Sequence, residues 1–246
     1  MTTVIPFVFG AIVGSFLNVV GLRFNSGLTL AGRSACSVCG KKLRWFELIP
    51  IFSFFLQGGR CRNCKTRISK QYPVIEILTG FLFLSIFSLQ FTILNKIILI
   101  LVFCIYIAIT IYDWRHKIIP DSLVYAAIIL SLIYALLNLQ TYKFIDLLSG
   151  PILFLFFFLI WFVSKGVAMG FGDAKLGLSI GLLLGGGAGF SAVILAFWIG
   201  AVLGLLSLIG NRNITMKSEI PFAPFLVLGS WLSLVFGLDL LHVSLF

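Results

Sequence analysis

Apolar residues along this chain come in long, unbroken runs rather than in the alternating pattern of a half-buried strand or the striped pattern of an amphipathic helix. Residues 97–111 and 151–163, for example, are apolar on every face, so a helix made from them has no polar side to turn toward water. The period-two alternation of a membrane β-barrel is absent from these runs. Further runs cover residues 4–22, 74–89, 122–137, 144–163, 176–184, 190–209 and 221–246, with the 97–111 run extending to 112. At about 20 residues per crossing, this pattern predicts an all-α polytopic membrane protein of about eight transmembrane helices. The first run has no basic stretch before it and no small-residue cleavage site after it, so it reads as a retained helix. The short 176–184 run, followed by Gly185, Gly186 and Gly187, predicts a tilted or re-entrant helix.

Composition sharpens this picture. Only 11% of residues are charged and the mean hydropathy is +1.14, which leaves no room for a large aqueous domain. The net charge of +10 would suit a nucleic-acid binder if it were spread over a folded surface. Instead Arg23, Arg33, Lys41, Lys42, Arg44, Arg60, Arg62, Lys65, Arg67 and Lys70 crowd into the one long polar segment, residues 23–71. That crowding marks a cytoplasmic loop, attractive to anionic membrane lipid, and argues against a nucleic-acid partner. With this loop inside, alternation places Arg115, Lys117, Lys165, Lys175, Arg212 and Lys217 inside as well, and only Lys96 and Lys143 outside.

The same loop holds Cys36-Ser-Val-Cys39 and Cys61-Arg-Asn-Cys64, the paired spacing of a tetrahedral four-cysteine zinc site. Two disulfides are the alternative, disfavoured in a reducing cytoplasm. Gly40, Gly58 and Gly59 supply turns, and Lys41, Lys42, Arg60 and Lys65 supply charge that favours thiolates. The apolar stretch 51–56 predicts the small core of a zinc-knuckle domain resting on the membrane surface. Glu47 stands out as the one acidic residue among these bases, and its ordinary alternative is a surface ion pair with Arg44 or Arg60. Cys104, alone in an apolar run, reads as a small buried hydrophobe.

The chain has eight acidic residues, and a carboxylate at membrane depth is a functional suspect. Asp113 ends the 97–112 run, and Asp173 closes Gly170-Phe171-Gly172-Asp173; both fall on the inside face. Two such carboxylates can converge on one water as general base and general acid, because neighbouring like charges cannot both ionise. Helix capping is the structural alternative for Asp173, and it is the expected role of Asp121 in Pro120-Asp121-Ser122. Glu76 lies near a helix start, where an anion is favoured. Asp146, Asp239 and His242 fall on the outside face, and His116 reads as a polar loop residue.

Taken together, Gly14-Ser15-Phe16-Leu17-Asn18, both cysteine pairs, Trp45, Glu47, Ile49-Pro50, Tyr72-Pro73 with Glu76, Asp113, Ile119-Pro120-Asp121, Gly170-Phe171-Gly172-Asp173-Ala174-Lys175 and Pro221-Phe222-Ala223-Pro224 resemble the bacterial prepilin peptidase family. These are the leader peptidases and N-methyltransferases of type IV pili, type II secretion and competence pseudopili. The resemblance implies a bacterial inner-membrane aspartic endopeptidase with Asp113 and Asp173 as its catalytic pair. Its substrate would be a prepilin or pseudopilin precursor with a short basic leader. The zinc loop with Glu47 would serve methyl transfer from S-adenosylmethionine, with Glu76 the next candidate for the methyl-donor site. Residues 1–22 would form the first transmembrane helix, 23–73 the zinc-binding loop domain and 74–246 the peptidase domain. Two positions depart from the pattern: Ala223 stands where glycine is expected, and Arg115 where an acid is common, close enough in sequence to act on Asp113. A transporter or channel, the rival class, would place carboxylates near the bilayer midplane.

Overall fold

A computed structural model describes residues 4–25, 32–140, 144–210 and 220–240; Lys143, Arg212, Lys217, His242 and the end of the 221–246 run lie outside the described residues. Every apolar run becomes a helix: α1 (Val4–Arg23), α3 (Gln71–Ser88), α4 (Ile93–His116), α5 (Asp121–Leu137), α6 (Phe144–Ser164), α7 (Phe171–Leu184), α8 (Gly186–Gly210) and α9 (Ala223–Phe236), with a short α2 (Phe52–Leu56) in the polar segment. Among the described residues, five helices are long and apolar enough to cross a membrane. The chain is an integral membrane protein. It divides into two compact units, Met1–Gln90 and Phe91–Phe246.

In the first unit α1 packs along α3 through a stripe spaced by four, Gly10, Gly14 and Asn18. A side-chain carbon at Gly10 would lie 2.7 Å from the Thr79 carbonyl oxygen, and one at Gly14 would lie 2.9 Å from Thr79 Oγ1. Lipid gives helices no hydrophobic reason to associate, so close contact between small residues supplies the attraction. Asn18, fully buried, donates from Nδ2 to the Gly14 carbonyl at 3.2 Å and to that of Tyr72 at 3.4 Å.

The segment between these helices corrects one expectation. None of the residues of α2 is buried, and between residues 32 and 70 only Glu47 and Cys61 are buried. The 51–56 stretch is therefore no core: Phe52, Phe55 and Leu56 are exposed, and Ile51 and Phe54 are only half-buried.

The second unit is built around α7. Fourteen residues long, it rises about 21 Å at 1.5 Å per residue, short of the roughly 30 Å hydrocarbon layer. It packs against α5, α6, α8 and α9, and the α6 crossing is close enough that a side-chain carbon on Gly181 would meet the Gly150 backbone at 2.6 Å. Pro151 follows Gly150 inside α6, and Ser149 Oγ donates to the Gly181 carbonyl at 2.8 Å. At Gly185 the backbone adopts φ 77°, ψ −172°, a conformation reserved for glycine, and the chain enters α8 at once. Asp146 Oδ1 accepts the Gly186 N–H at 2.9 Å, and Asp239 lies against Gly187. These two acids thus sit at the positive end of α8, in structural roles.

Gly181→Leu should force α6 and α7 apart and lower stability by about 1–3 kcal/mol, a fall of several degrees in Tm measured by thermal unfolding in detergent. Gly204→Leu, where the added carbon would meet only Ile220 Cδ1 at 3.7 Å, should stay close to wild type.

Candidate active site and metal centre

Helix α4 ends where Lys117 takes a left-handed conformation, φ 54°, and donates its N–H to the Asp113 carbonyl at 2.8 Å. The following turn leads back to α7: a side-chain carbon on Gly172 would lie 2.7 Å from Ile119 Cβ. Glycine there lets the start of α7 reach the end of α4. Asp113 and Asp173 are 5% and 7% exposed, and the charge of Asp113 acts on Asp173.

Each carboxylate has a backbone amide acting on it: that of Ala223 on Asp113 and that of Gly170, the N-cap of α7, on Asp173. Asp173 is therefore not the cap itself but the third residue of the helix. One oxygen of each, Asp113 Oδ2 and Asp173 Oδ1, is buried without a partner. Such groups are costly unless something else is bound there, and two of them in one site suit a water or a peptide group.

The Ala223 amide was not legible as a site group, because sequence reasoning weighed the side chain, and the chain uses the backbone. The signal lay in the helix start: α9 begins at Ala223 with Pro224 behind it, so its first amides are free to bond elsewhere. The departure from glycine costs nothing, since the N–H is unchanged.

Asp121 also differs from expectation. Pro120 is the N-cap of α5, and no side chain caps that helix. Asp121 Oδ1 instead meets Lys175 Nζ at 2.6 Å. Lys175, only 12% exposed, also lies over the rings of Tyr125 and Phe171, each 5.0 Å to the centroid. This pair joins the starts of α5 and α7, two residues from Asp173. Arg115 is exposed and is not among the groups acting on the Asp113 carboxylate, contrary to the sequence-based expectation. His116 stacks on Tyr112, ring centroids 4.3 Å apart, and remains a polar surface residue.

In the first unit the sulfurs of Cys36, Cys39, Cys61 and Cys64 lie within 4.8 Å of one another, and Cys36 and Cys64 are 3.7 Å apart. A tetrahedron with metal–sulfur bonds of about 2.3 Å has sulfurs about 3.8 Å apart, so the four fit a single metal ion. All four are free thiols. The two knuckles repeat one backbone pattern: Gly40 N–H to the Cys36 carbonyl and Lys65 N–H to that of Cys61, both at 3.0 Å, with Gly40 and Lys65 both left-handed. The Thr66 hydroxyl, 3.2 Å from Cys64 Sγ, and the Thr66 backbone hold that thiol down at about 6, toward the thiolate a metal needs.

Glu47 and Glu76 are both buried, and each holds a backbone amide. Glu47 Oε2 accepts the Arg44 N–H at 2.8 Å, where a guanidinium partner was the ordinary expectation. Glu76 Oε2 accepts the Ile51 N–H at 2.7 Å, and Ser15 acts on the same carboxylate. Ile51 has φ 64°, ψ −60°, with the Phe52 N–H donating to the Pro50 carbonyl at 2.6 Å. A γ-turn of this hand is rare and strained, the more so for a β-branched residue.

Comparison with known proteins bears on both units. Residues 8–90 match the Bacterial Peptidase A24 N-terminal domain, and residues 98–206 match the Type IV leader peptidase family. The Prepilin leader peptidase/N-methyltransferase of Bacillus subtilis is 32% identical over 95% of this chain and 94% of its own length. That of Pseudomonas aeruginosa is 31% identical over 93% and 88%, and that of Xanthomonas campestris 29% over 94% and 90%. No solved structure matches.

Asp121→Asn is expected to cost no more than about 1 kcal/mol, because an ion pair with one partner in solvent is weak; thermal unfolding of the purified variant measures it.

Proposed function

This chain belongs to the type IV leader peptidase family, and we propose that it is an intramembrane aspartic endopeptidase that cuts prepilin-like precursors with Asp113 and Asp173 as its catalytic pair. The observation that supports this most is the pair of buried carboxylates, each with a backbone amide acting on it and each with one oxygen left open. One carboxylate, ionised, takes a proton from water as the water oxygen attacks the scissile carbonyl carbon. The other, protonated, gives its proton to the carbonyl oxygen. When the intermediate collapses, the C–N bond breaks and the departing amine takes up a proton, so one water is consumed for each peptide bond cut. The amides of Ala223 and Gly170 orient the two groups without competing for their open oxygens.

The basic segments support a reading in which this site faces the cytoplasm at the bacterial inner membrane, where a leader preceding an apolar helix is presented. Residues 23–73 then form a cytoplasmic domain pinned by one structural zinc on Cys36, Cys39, Cys61 and Cys64, and residues 74–246 the peptidase domain. The new amino terminus is methylated from S-adenosylmethionine, with Glu47 and Glu76 as the residues that bind the methyl donor or the ammonium it modifies. Both are buried carboxylates, Glu47 within a segment rich in bases, and are suited to holding a cation.

Asp113→Asn and Asp173→Asn should each abolish cleavage of a purified prepilin, since an amide neither accepts the proton from water nor delivers one. Wild-type cleavage by either variant would overturn the aspartic mechanism.

Glu47→Gln keeps an oxygen for the Arg44 amide and loses the charge. It should impair methylation of the processed amino terminus while leaving cleavage largely intact, as read by mass spectrometry of the product. Full methylation at the wild-type rate would make Glu47 a purely structural residue and leave Glu76 as the candidate.

A further inference from the structure

The cysteine-knuckle segment lacks a core of its own, yet it carries a strongly apolar outer surface. Phe52, Phe55 and Leu56 of α2 are 68%, 67% and 76% exposed, and Trp45 is 79% exposed. Beside them an open groove of about 380 Å³ is lined by Phe54, Phe55, Gly58, Gly59, Arg60, Arg67, Ile68 and Lys70. It combines two aromatic rings and an isoleucine with three cations, and none of its lining residues is acidic.

Arg60 and Arg67 face each other across an antiparallel bridge. Directly opposed like charges on two strands are unfavourable unless an anion lies between them. The depth of the groove is fixed on both sides. Lys70 immediately precedes α3, and Ile51, the residue before α2, is bonded through its N–H to Glu76. Glu76 is the sixth residue of α3, about 7–8 Å along its axis. Since α3 is apolar and long enough to cross the membrane, α2 cannot stand off in the cytosol. Its offset along α3 matches the 5–10 Å headgroup and acyl boundary that interfacial helices occupy.

We propose that the groove of Arg60, Arg67 and Lys70 binds the phosphate of an anionic phospholipid, while Phe52, Phe55 and Leu56 insert among the acyl chains beside it. The knuckle segment is thus an interfacial membrane module, and lipid supplies the apolar surroundings its own fold lacks. A basic leader peptide is repelled by the same three cations, so the groove is not a site for the precursor's leader.

The test uses the full chain with the photoreactive analogue p-benzoylphenylalanine in place of Phe55, reconstituted in phosphatidylcholine vesicles containing a minority of phosphatidylglycerol. After irradiation, mass spectrometry identifies the adducts. Phospholipid adducts are expected, with phosphatidylglycerol enriched about fivefold over its share of the vesicle, the worth of one interfacial cation. A control probe at Phe16, exposed on α1, should show little enrichment. Arg60→Gln/Arg67→Gln/Lys70→Gln should abolish the enrichment at Phe55 while metal analysis still finds one zinc per chain.

Adducts only to protein, or none, would overturn the insertion of α2. Equal enrichment at Phe16, or enrichment that survives the triple variant, would overturn the groove as its source. Loss of zinc along with the enrichment would show that the cations serve the metal centre. Displacement of phosphatidylglycerol by inorganic phosphate would make the site one for a small free anion, and the lipid assignment would fail.

Discussion

Two carboxylates withheld from water, each left with one unsatisfied oxygen, are the constraint around which the second unit is organised. Burying a carboxylate is costly unless it is hydrogen-bonded, and in lipid the bonds must come from the protein itself. Asp113 has the first amide of α9 acting on it and Asp173 the N-cap amide of α7. Three helices therefore have to meet at one point. The glycines of α7 make the meeting possible: Gly172 admits Ile119, while Gly177 and Gly181 bring α6 to the opposite side. The reversal at Gly185, with Asp146 holding the start of α8, keeps α7 short and enclosed. Lys175 lies next to this point and is neutralised by Asp121, so a cation near the pair is already matched and leaves the open oxygens for substrate and water.

The helices were legible because lipid allows few alternatives to a run apolar on all sides; most boundaries moved by only a few residues, but the last helix stops at Phe236, well inside its run. Asp113 and Asp173 could be picked out for a related reason: acids are so scarce here that each one demands an explanation. What could not be read was which backbone groups complete the site. The Ala223 amide carries no residue-type signal, and sequence attention went to the missing glycine. Asp121 was misjudged because proline, then aspartate, then serine before an apolar run is a strong capping pattern, and only the fold shows Lys175 within its reach. Arg115 is close to Asp113 in sequence but turns to solvent, since residues two apart on a helix do not share a face.

The first unit follows a different principle. Its helices α1 and α3 are joined by small-residue packing, but the segment between them buries only Glu47 and Cys61 over residues 32–70. A peptide that cannot bury apolar surface needs a staple, and the four clustered thiols have the spacing to form one by holding a single ion. The expectation of a core in residues 51–56 failed because apolarity alone does not say which solvent is near: beside a membrane, exposed phenylalanines need not be buried in protein. The strained γ-turn at Ile51 belongs to this arrangement. Its amide is drawn to Glu76, a buried carboxylate on α3, and such strain persists only where the surroundings over-determine it. Glu76 thereby ties the cysteine loop to α3.

The transporter reading can be weighed by where polar groups sit along the helices. Ion and proton paths place ionisable groups at mid-membrane depth. In α4 the polar group near mid-helix is Tyr106, fully buried, whose hydroxyl lies 2.8 Å from Ser179 Oγ, itself 2.9 Å from Ser131 Oγ. These three hydroxyls satisfy one another across α4, α5 and α7, and none can carry a charge at neutral pH. The carboxylates Asp113 and Asp173 occupy the last turn of α4 and the first turn of α7. A closed hydroxyl network at mid-depth stiffens the unit and conducts nothing, whereas open carboxylate oxygens at a helix end can be reached by a peptide entering from the membrane surface. The polarity of the helices therefore favours chemistry at one face over passage through the bilayer.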